Sequence, residues 1–308
     1  MYQALYRKYR PSNFNEIAGQ HVIVQTLKNA IVNNRISHAY LFTGPRGTGK
    51  TSIAKIVAKT INCENLNDFI PCDKCKSCLE FNSKNDVDII EIDAASNNGV
   101  DQIRELKNKI TVVPGKLKYK VYIIDEVHML SNSAFNALLK TLEEPPRHVV
   151  FILATTEFYE VPETIVSRCQ CFSFSRISVK SLEKRLKYIA EQENIKIDDD
   201  VITEIANYSN GGLRDAIGML DKLNSFSSNK ITMEVFNNLN GIISYCDVES
   251  FYNDIFDGNI TTILNMIDKI DEQGYSFKKF VEYEMVYVRD KIIDFYKNNK
   301  EIKGSIKD

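Results

Sequence analysis

The sequence has 308 residues, of which 44% are hydrophobic, and its formal net charge is −2. This length allows two or three domains with buried cores, and the near-neutral charge excludes a general basic field for holding nucleic acid. The longest uninterrupted apolar run, VVFILA at residues 149–154, is too short to cross a bilayer, and the polar N-terminus has no signal-peptide pattern. We therefore expect a cytoplasmic protein without a membrane partner.

The first part of the chain alternates short runs of β-branched and aromatic residues with helical patterns. The predicted strands are residues 39–43, 88–92, 121–125 and 149–154. Such alternation is typical of a parallel sheet covered by helices, so we predict an α/β domain over residues 1–175.

After about residue 175 the strand signals stop, and apolar residues recur with a period near 3.6. They form three sets, which are Leu182, Leu186, Ile189 and Ala190, then Val201, Ile202, Ile205 and Ala206, and then Leu213, Ile217, Leu220 and Leu223. We predict a small helical domain over residues 176–240.

The last segment, residues 241–308, includes a long amphipathic stretch that is typical of a helix. Its apolar stripe consists of Phe277, Phe280, Val281, Met285, Val288, Ile292 and Phe295. Three or so helices make a thin domain, so we expect this segment to be an incomplete part of a larger helical unit or to pack against other subunits.

The segment GPRGTGKT, residues 44–51, has the pattern G-x-x-x-x-G-K-[ST] between a predicted strand and a predicted helix. The backbone N–H groups of such a loop point at nucleotide phosphates, and the helix N-terminus adds positive potential. Lys50 is expected to reach the β- and γ-phosphates, and the Thr51 hydroxyl to bind Mg²⁺. The predicted nucleotide-binding residues of this loop are Gly44, Pro45, Arg46, Gly47, Thr48, Gly49, Lys50, Thr51 and Ser52. A glycine-rich turn that only caps a helix is the alternative.

The run VYIIDEVH, residues 121–128, is a predicted buried strand that ends in two acids. Asp125 is expected to help hold Mg²⁺, and Glu126 to orient and polarise the attacking water, because hydrolysis needs a carboxylate near the γ-phosphate. Two solvated acids at a strand end are the alternative, which the intact phosphate loop disfavours. His128 is expected to be structural.

Four of the seven cysteines form a C-x8-C-x2-C-x2-C cluster, namely Cys63, Cys72, Cys75 and Cys78. Four thiolates make a closed tetrahedral site for a structural zinc ion, so we predict a zinc module over about residues 63–80. An iron–sulfur site is the less favoured alternative, because that pattern needs a fourth Cys followed by Pro where Asn82 stands. Four clustered but unliganded thiols are a further alternative.

Longer segments resemble the γ/τ subunits of the bacterial DNA polymerase III clamp loader, which are AAA+ ATPases. They are YRKYRPSNFNEIAGQ in part, HAYLFTGPRGTGKTSIAKIVAK, EIDAASNNGVDQIREL, VYIIDEVHMLSNSAFNALLKTLEEPP, FILATTE, SRCQCF and GGLRDA. The resemblance runs from residue 1 to about residue 241 and is weaker beyond. It implies a sheet domain with the phosphate loop and a zinc insertion, a three-helix lid, and a collar that gathers subunits into a hetero-oligomeric ring.

The resemblance also implies roles for three polar side chains. In FILATTE, Thr156, with Thr155 as the less favoured candidate, would hydrogen-bond near the γ-phosphate. In SRC, Arg168 would be the arginine finger that reaches the ATP of a neighbouring subunit. In GGLRDA, Arg214 would touch the γ-phosphate bound by its own subunit.

The adenine pocket of such subunits is lined by the N-terminal segment, which by resemblance places Tyr9, Arg10 and Pro11 there. Contacts with DNA phosphates would come from a helix that begins near Asn98 and from Lys140 on the run NALLKTLEE. For Lys140, a solvated helix residue without a DNA contact is an equal alternative. Related subunits often have basic residues where this chain has Asn97 and Gly99, so its DNA contact is expected to be weaker or to use backbone N–H groups.

The function implied by the resemblance is Mg²⁺-dependent ATP hydrolysis that loads the sliding clamp onto primer–template DNA. The enzyme would work within the DNA-directed DNA polymerase holoenzyme, a nucleotidyltransferase, with the δ and δ′ subunits and further γ/τ copies as partners. A non-hydrolysing scaffold of the δ′ type is the alternative, and the intact Lys50, Thr51, Asp125 and Glu126 disfavour it. A Holliday-junction remodeler is disfavoured because it has no reason for the zinc module or for SRC.

Overall fold

The computed structural model describes residues 2–67, 69–83, 88–96, 110–227, 229–240, 245–272 and 277–298. Within it the chain divides into two units: the first is Met1–Glu193 with Ile202–Asp221, and the second is Asn194–Val201 with Lys222–Asp308. The expected three domains, with boundaries after residues 175 and 240, stay a prediction.

A five-stranded parallel sheet forms the centre of the first unit, in the order β2-β3-β4-β1-β5. The strands are β1 Ala39–Thr43, β2 Ile89–Asp93, β3 Lys120–Asp125, β4 Val149–Thr155 and β5 Gln170–Ser173. The four predicted strands are confirmed, with small shifts at their ends. The sequence did not predict β5, because QCFS is short and polar and lies at the sheet edge, where it pairs with β1.

The α-helices are α1 Leu5–Lys8, α2 His21–Val32, α3 Lys50–Asn62, α4 Lys76–Ser83, α5 Asn132–Glu143, α6 Glu163–Val166, α7 Val179–Gln192, α8 Asp199–Tyr208, α9 Leu213–Phe226, α10 Met233–Asn240, α11 Tyr245–Asp257, α12 Ile260–Glu272 and α13 Phe277–Asn298. Short 3-10 helices occur at Phe14–Glu16, Val127–Met129 and Phe158–Glu160. Among the described residues no helix combines the length and the apolar character needed to cross a membrane.

Both faces of the sheet are buried, because alternate strand residues point to opposite sides. Tyr40 and Phe42 pack with α2 and α3 on one face, whereas Leu41 and Tyr122 pack with α5 on the other. The result is a helix–sheet–helix sandwich, which confirms the predicted α/β class.

The parallel register places all the carboxyl ends of the strands at one edge of the sheet. Thr43 lies beside Thr155, and Asp93 lies beside Asp125. Loops that follow these strands therefore meet at a common edge, where ligands bind in open α/β sheets.

The apolar periodicities after residue 175 are confirmed as buried faces of α7, α8 and α9. All the residues predicted for them are buried except Leu213, which is partly buried. These helices carry their polar residues on the opposite side, as amphipathic helices do.

In the second unit, α11, α12 and α13 share a small core made of Val248, Phe251, Ile270, Phe280 and Tyr287. Much of the predicted apolar stripe of α13 is nevertheless exposed, including Met285 at 68% and Phe295 at 54%. This core is small, as expected for a thin helical domain.

Candidate nucleotide site

A cavity of about 1130 Å³ lies at the carboxyl edge of the sheet in the first unit. The predicted site residues that line it are Tyr9, Arg10, Pro11, Arg46, Gly47, Thr48, Gly49, Lys50, Thr51, Ser52, Asp125, Glu126 and Arg214. The fold thus brings together residues from the segment after α1, the phosphate loop with the start of α3, the end of β3 and the start of α9. Gly44, Pro45 and Thr156 lie behind this lining, and Arg168 lies apart from it.

The phosphate loop requires glycine at its first position. Gly44 has a φ of +136°, and a Cβ atom there would lie 2.3 Å from the carbonyl oxygen of Phe174. Its N–H donates to the carbonyl of Thr155 at 3.3 Å, which ties the loop to the end of β4. No other residue type would allow the chain to turn so close to its neighbour.

Lys50 is buried, and its ammonium group lies inside the loop. Nζ donates to the carbonyl oxygens of Gly44 at 2.6 Å and Pro45 at 2.9 Å. Burial lowers the pKa of Lys50, and the carboxylates of Glu126 and Asp125 oppose that shift. To bind a ligand, Lys50 would have to break only its two hydrogen bonds to loop carbonyls. A buried ammonium group in this position, near two acids, is suited to a phosphate.

Thr51 and Asp125 bring two oxygen ligands together. The Thr51 hydroxyl donates to Asp125 Oδ2 at 2.6 Å, although the two residues come from α3 and β3. Hydroxyl and carboxylate oxygens suit Mg²⁺, which takes few protein ligands and otherwise keeps water and phosphate oxygens. The residues therefore fit the predicted metal position.

Glu126 is held by Thr156 at the end of the neighbouring strand. Glu126 Oε2 accepts from the Thr156 backbone N–H at 3.2 Å and from its hydroxyl at 3.0 Å. Glu126 also has a positive φ of 47°, a conformation that non-glycine residues rarely adopt and that often occurs at functional sites.

Thr155, the alternative to Thr156, faces elsewhere. Its hydroxyl lies 3.0 Å from His128 Nδ1 and donates to the Glu157 carbonyl at 3.2 Å. His128 Nδ1 is also 3.6 Å from Glu126 Oε2. Of the two threonines, Thr156 therefore contacts the acid, and His128 joins the polar cluster at its edge.

The start of α9 lies directly on the phosphate loop. The Leu213 backbone N–H donates to the Gly47 carbonyl at 3.1 Å. The next residue, Arg214, has its guanidinium carbon 5.1 Å from the centre of the Tyr6 ring. This contact places Arg214 at the wall of the cavity.

The N-terminal segment closes another side of the cavity. Arg10 Nε donates to the Ser52 hydroxyl at 3.3 Å, next to the phosphate loop. The Tyr9 hydroxyl bonds to Glu193, and the Arg185 guanidinium donates to the Tyr9 carbonyl at 3.2 Å. Burial and the Glu193 carboxylate raise the pKa of Tyr9 to about 12, so its hydroxyl stays a donor.

Arg168 has partners of its own outside the cavity. Its guanidinium lies 2.6 Å from Glu143 Oε1 and donates to the Thr164 carbonyl at 2.7 Å. The structure therefore does not bring Arg168 to the phosphate loop of its own chain.

The four clustered cysteines have sulfur atoms that all lie within 4.8 Å of one another. Backbone N–H groups point at three of them: Cys72 N–H at Cys63 Sγ, Cys75 N–H at Cys72 Sγ, and Cys78 N–H at Cys75 Sγ, at 3.3, 3.3 and 3.4 Å. Backbone donors from Lys74 and Cys75 lower the pKa of Cys72 to about 6, and burial raises that of Cys78. Four thiolates around zinc at about 2.3 Å would be about 3.8 Å apart, so the cluster fits that ion.

The zinc-type cluster is joined to α3 by a buried lysine. Lys59 Nζ pairs with Asp73, which lies between two of the cysteines, and donates a second hydrogen bond to Asn82 Oδ1 at 3.1 Å. Phe81 and Asn82 in turn line the large cavity. The cysteine cluster and the phosphate loop are therefore connected through one helix.

The predicted DNA-contacting helix near Asn98, with Asn97 and Gly99, lies outside the described residues. Lys140 is exposed on α5. Sequence reasoning missed Tyr6 and Glu143 and interpreted His128 as structural only. The signal for Tyr6 was its place in LYRKYRP, whereas nothing in the sequence pointed to Glu143.

Two family models match the chain. One, described as DNA polymerase III, delta subunit, matches residues 19–178, and one described as the RCF1/5-like AAA+ ATPase lid domain matches residues 184–222. Together they cover most of the sheet unit and the first helices after it.

Curated relatives match over nearly the whole chain. DNA polymerase III subunit tau of Bacillus subtilis is 45% identical over 98% of this chain and 54% of its own length. The gamma/tau subunit of Mycoplasma pneumoniae is 42% identical over 91% of this chain and 41% of its own length. The gamma subunit of Buchnera aphidicola subsp. Baizongia pistaciae is 40% identical over 86% of this chain and 69% of its own length. The chain thus spans about half the length of the first two relatives.

Among solved structures, the RuvB Holliday junction branch migration motor of Thermotoga maritima matches with a TM-score of 0.57 and 18% identity, over 88% of this chain and 89% of that one. At this identity the likeness shows a shared AAA+ fold and nothing about substrate.

Proposed function

This chain belongs to the DNA polymerase III gamma/tau family of AAA+ proteins, and we propose that it is an ATP-hydrolysing motor subunit of the clamp loader. ATP binding would close the subunit interfaces of a hetero-oligomeric ring, and hydrolysis would reset the ring after the sliding clamp has been placed on primed DNA. The observation that carries the proposal is the grouping of Lys50, Thr51, Asp125 and Glu126 around one cavity.

The same grouping favours a motor over a non-hydrolysing scaffold of the δ′ type. Thr51 and Asp125 share a hydrogen bond at the place where Mg²⁺ would be held, and Glu126 is within reach of Thr156. A scaffold has no use for a carboxylate that polarises water. The complete set therefore supports hydrolysis by this chain itself.

In the proposed reaction Lys50 leaves the loop carbonyls and binds the β- and γ-phosphates. Thr51 and Asp125 would hold Mg²⁺, which when bound would supply positive charge to the phosphate oxygens. Glu126 accepts a hydrogen bond from the attacking water and then its proton, so that the water oxygen bonds to the γ-phosphorus as the bond between that phosphorus and the leaving ADP oxygen breaks.

Two arginines complete each proposed site, one from the subunit that binds the ATP and one from a neighbouring subunit. Arg214 contacts the γ-phosphate from α9 of the same subunit. Arg168 acts on the ATP of a neighbour, and its pairing with Glu143 at the surface, away from its own phosphate loop, is compatible with that role. An arginine that a neighbouring subunit contributes in this way raises the rate of hydrolysis about 10³- to 10⁵-fold, so an isolated subunit is expected to hydrolyse ATP slowly.

We also propose that Cys63, Cys72, Cys75 and Cys78 hold a structural zinc ion. The sulfur atoms are close enough for a tetrahedral site, and the backbone N–H groups aimed at three of them favour thiolates. A closed site of four thiolates leaves no position for substrate, so the ion would stabilise the insertion around α4 and take no part in hydrolysis.

The proposed partners are the δ and δ′ subunits, further gamma/tau copies, the sliding clamp and the phosphate backbone of primer–template DNA. Residues 1–175 would form the nucleotide-binding domain, residues 176–240 the lid and residues 241–308 the collar. The exposed apolar side chains of α13 support an assembly role for the last segment.

The direct test is a reconstituted mixture of this chain with the δ and δ′ subunits, the sliding clamp and primed DNA. ATP turnover is expected to rise when clamp and DNA are added, and to be lost in Lys50→Ala. Lys180→Ala, which changes an exposed lysine on α7, is the matched control and should behave as the wild type. Stimulated turnover that survives Lys50→Ala would overturn the proposal.

A further inference from the structure

The ring of Tyr6 contacts two guanidinium groups at the cavity wall. The guanidinium carbon of Arg214 is 5.1 Å from the ring centre, and that of Arg7 is 5.7 Å from it. Arg7 Nε also donates to the Tyr6 hydroxyl at 3.1 Å. All three side chains line the large cavity. The two cations lower the pKa of Tyr6, Arg7 more than Arg214, as expected for a hydroxyl beside positive charge.

Tyr6 is held in place by α9, the helix that carries Arg214. The neighbouring Leu5 is buried, at 4% exposure, and its backbone N–H donates to Asp221 Oδ2 at 3.1 Å. Asp221 lies on α9 together with Arg214. The ring is therefore tied through Leu5 to the same helix that carries the guanidinium.

Arg214 has hydrogen-bond donors that a ligand could use. Within the described residues no carboxylate pairs with it, and its guanidinium contacts the Tyr6 ring. A guanidinium has five N–H donors, so the contact with Tyr6 leaves several of them available to a ligand. Those groups border the cavity that contains Lys50 and Glu126.

We propose that Tyr6 is a positioning residue for Arg214, which holds the guanidinium at the cavity wall so that its N–H groups meet the γ-phosphate of ATP. This inference rests on the proposed function, because it takes ATP as the ligand and Arg214 as a contact of the third phosphate. ADP lacks that phosphate, so Tyr6 contributes to the preference of the site for ATP over ADP. The N-terminal segment that contains Tyr6 would thereby help the site to distinguish ATP from ADP.

Two other roles for Tyr6 would change the affinities for ATP and ADP in different ways. If its ring only packed against the base or the ribose, its loss would weaken ATP and ADP equally, because both nucleotides share those groups. If its ring instead drew Arg214 away from the phosphate, its loss would strengthen ATP binding. The ratio of the two affinities therefore separates the three roles.

The experiment is a calorimetric titration of the full chain with Mg·ATPγS and Mg·ADP. Tyr6→Leu is expected to weaken ATPγS binding about two- to fivefold and to leave ADP binding unchanged, which is the range of an exposed cation–π contact. Tyr6→Phe keeps the ring and is expected to restore the wild-type ratio. In an Arg214→Ala background, Tyr6→Leu should change the ratio no further.

Folding of each variant is checked by its thermal melting curve, because Tyr6 is half-buried. Arg214→Lys gives a second test that leaves Tyr6 intact: it keeps the charge, loses the planar guanidinium, and should lower the ratio as Tyr6→Leu does. An unchanged ratio in both variants, an equal loss for both nucleotides, or tighter ATPγS binding would overturn the inference. A folded wild-type chain that binds neither nucleotide would instead overturn the proposed function, and this inference with it.

Discussion

Thr156 donates two hydrogen bonds, one from its backbone and one from its side chain, to the same oxygen of Glu126, which lies 30 residues earlier in the chain. The contact joins the ends of β3 and β4, and it holds the acid beside the cavity in a backbone conformation with positive φ. Both bonds end on Oε2, so the second oxygen of the carboxylate stays available to accept a hydrogen bond from a water molecule. The pair therefore fixes the position of the carboxylate that is expected to act on the attacking water.

The first prediction concerns Glu126→Gln. The amide keeps the size of the side chain but cannot accept the proton of the attacking water, so turnover is expected to fall about 10²- to 10⁴-fold. ATP affinity should stay close to that of the wild type, because Lys50 and Thr51 are unchanged. Steady-state hydrolysis in the reconstituted mixture and nucleotide titration of the free chain measure the two quantities. Loss of both together would contradict the role given to Glu126.

We expect substitutions of the two threonines at the end of β4 to affect different properties, turnover in one case and stability in the other. Thr156→Val removes one donor to Glu126 and is expected to lower turnover with little effect on stability. Thr155→Val buries a valine where a hydroxyl meets His128 and Glu157, and should lower the free energy of unfolding by about 1–3 kcal/mol. Turnover and urea denaturation of both variants test the assignment. A larger loss of turnover in Thr155→Val would reverse it.

Zinc content is the third prediction. Folded chain is expected to contain about one zinc ion, and Cys75→Ala should lower that content and the melting temperature, because four ligands close the site. Cys171→Ala, at an exposed position on β5, is the matched control and should keep the ion. Elemental analysis of the purified protein decides, and a zinc content near zero in the wild type would contradict the prediction.

The fourth prediction uses the unequal burial of an ion pair. The side chain of Lys59 is 6% exposed, whereas that of Asp73 is 52% exposed. Asp73→Ala leaves a buried ammonium with fewer partners and is expected to cost about 1–2 kcal/mol, after allowance for screening by solvent. Lys59→Met leaves a carboxylate that water can solvate and should cost less than about 1 kcal/mol. Urea denaturation of both variants measures the difference, and the reverse order would refute it.

Two glycines near α9 give the fifth prediction. Gly211 has a φ of +83°, and a Cβ atom there would lie 2.5 Å from Arg176 Cβ, so Gly211→Ala is expected to cost about 1–3 kcal/mol. Gly218 lies within α9 with open space around it, so Gly218→Ala should stabilise the chain by about 0.5–1 kcal/mol. Matched urea denaturation curves check both signs.

Much of the fold could be predicted because the local and the long-range signals agree. The buried parallel strands read as apolar runs, and the helices after residue 175 show the 3.6-residue period of one buried face. β5 was missed because Gln170 and Ser173 are polar and the strand gains its place only from pairing with β1 at the sheet edge. Edge strands of this kind carry little local signal.

The site could be predicted where chemistry depends on spacing along the chain. The phosphate loop and the cysteine cluster are short motifs, and the structure gathers their residues as expected. The contacts of Tyr6 with Arg214 and of Glu143 with Arg168 join distant segments. No local pattern encodes such pairs, because they depend on how separate elements pack.

The choice between Thr155 and Thr156 shows what the sequence alone could not assign. Successive residues of a strand point to opposite sides, so a slip of one residue exchanges the side chain that meets Glu126 for the one that meets His128. The sequence named both candidates, and only the geometry at the end of β4 distinguishes them.

The central claim is that the loop at residues 44–51 binds Mg·ATP, and calorimetric titration of the purified, folded chain tests it most directly. We predict saturable binding of one ATP per chain, which Lys50→Ala weakens by at least about tenfold, because the buried ammonium is the principal cation of the loop. No measurable affinity in the folded wild type, or an affinity unchanged in Lys50→Ala, would contradict the account.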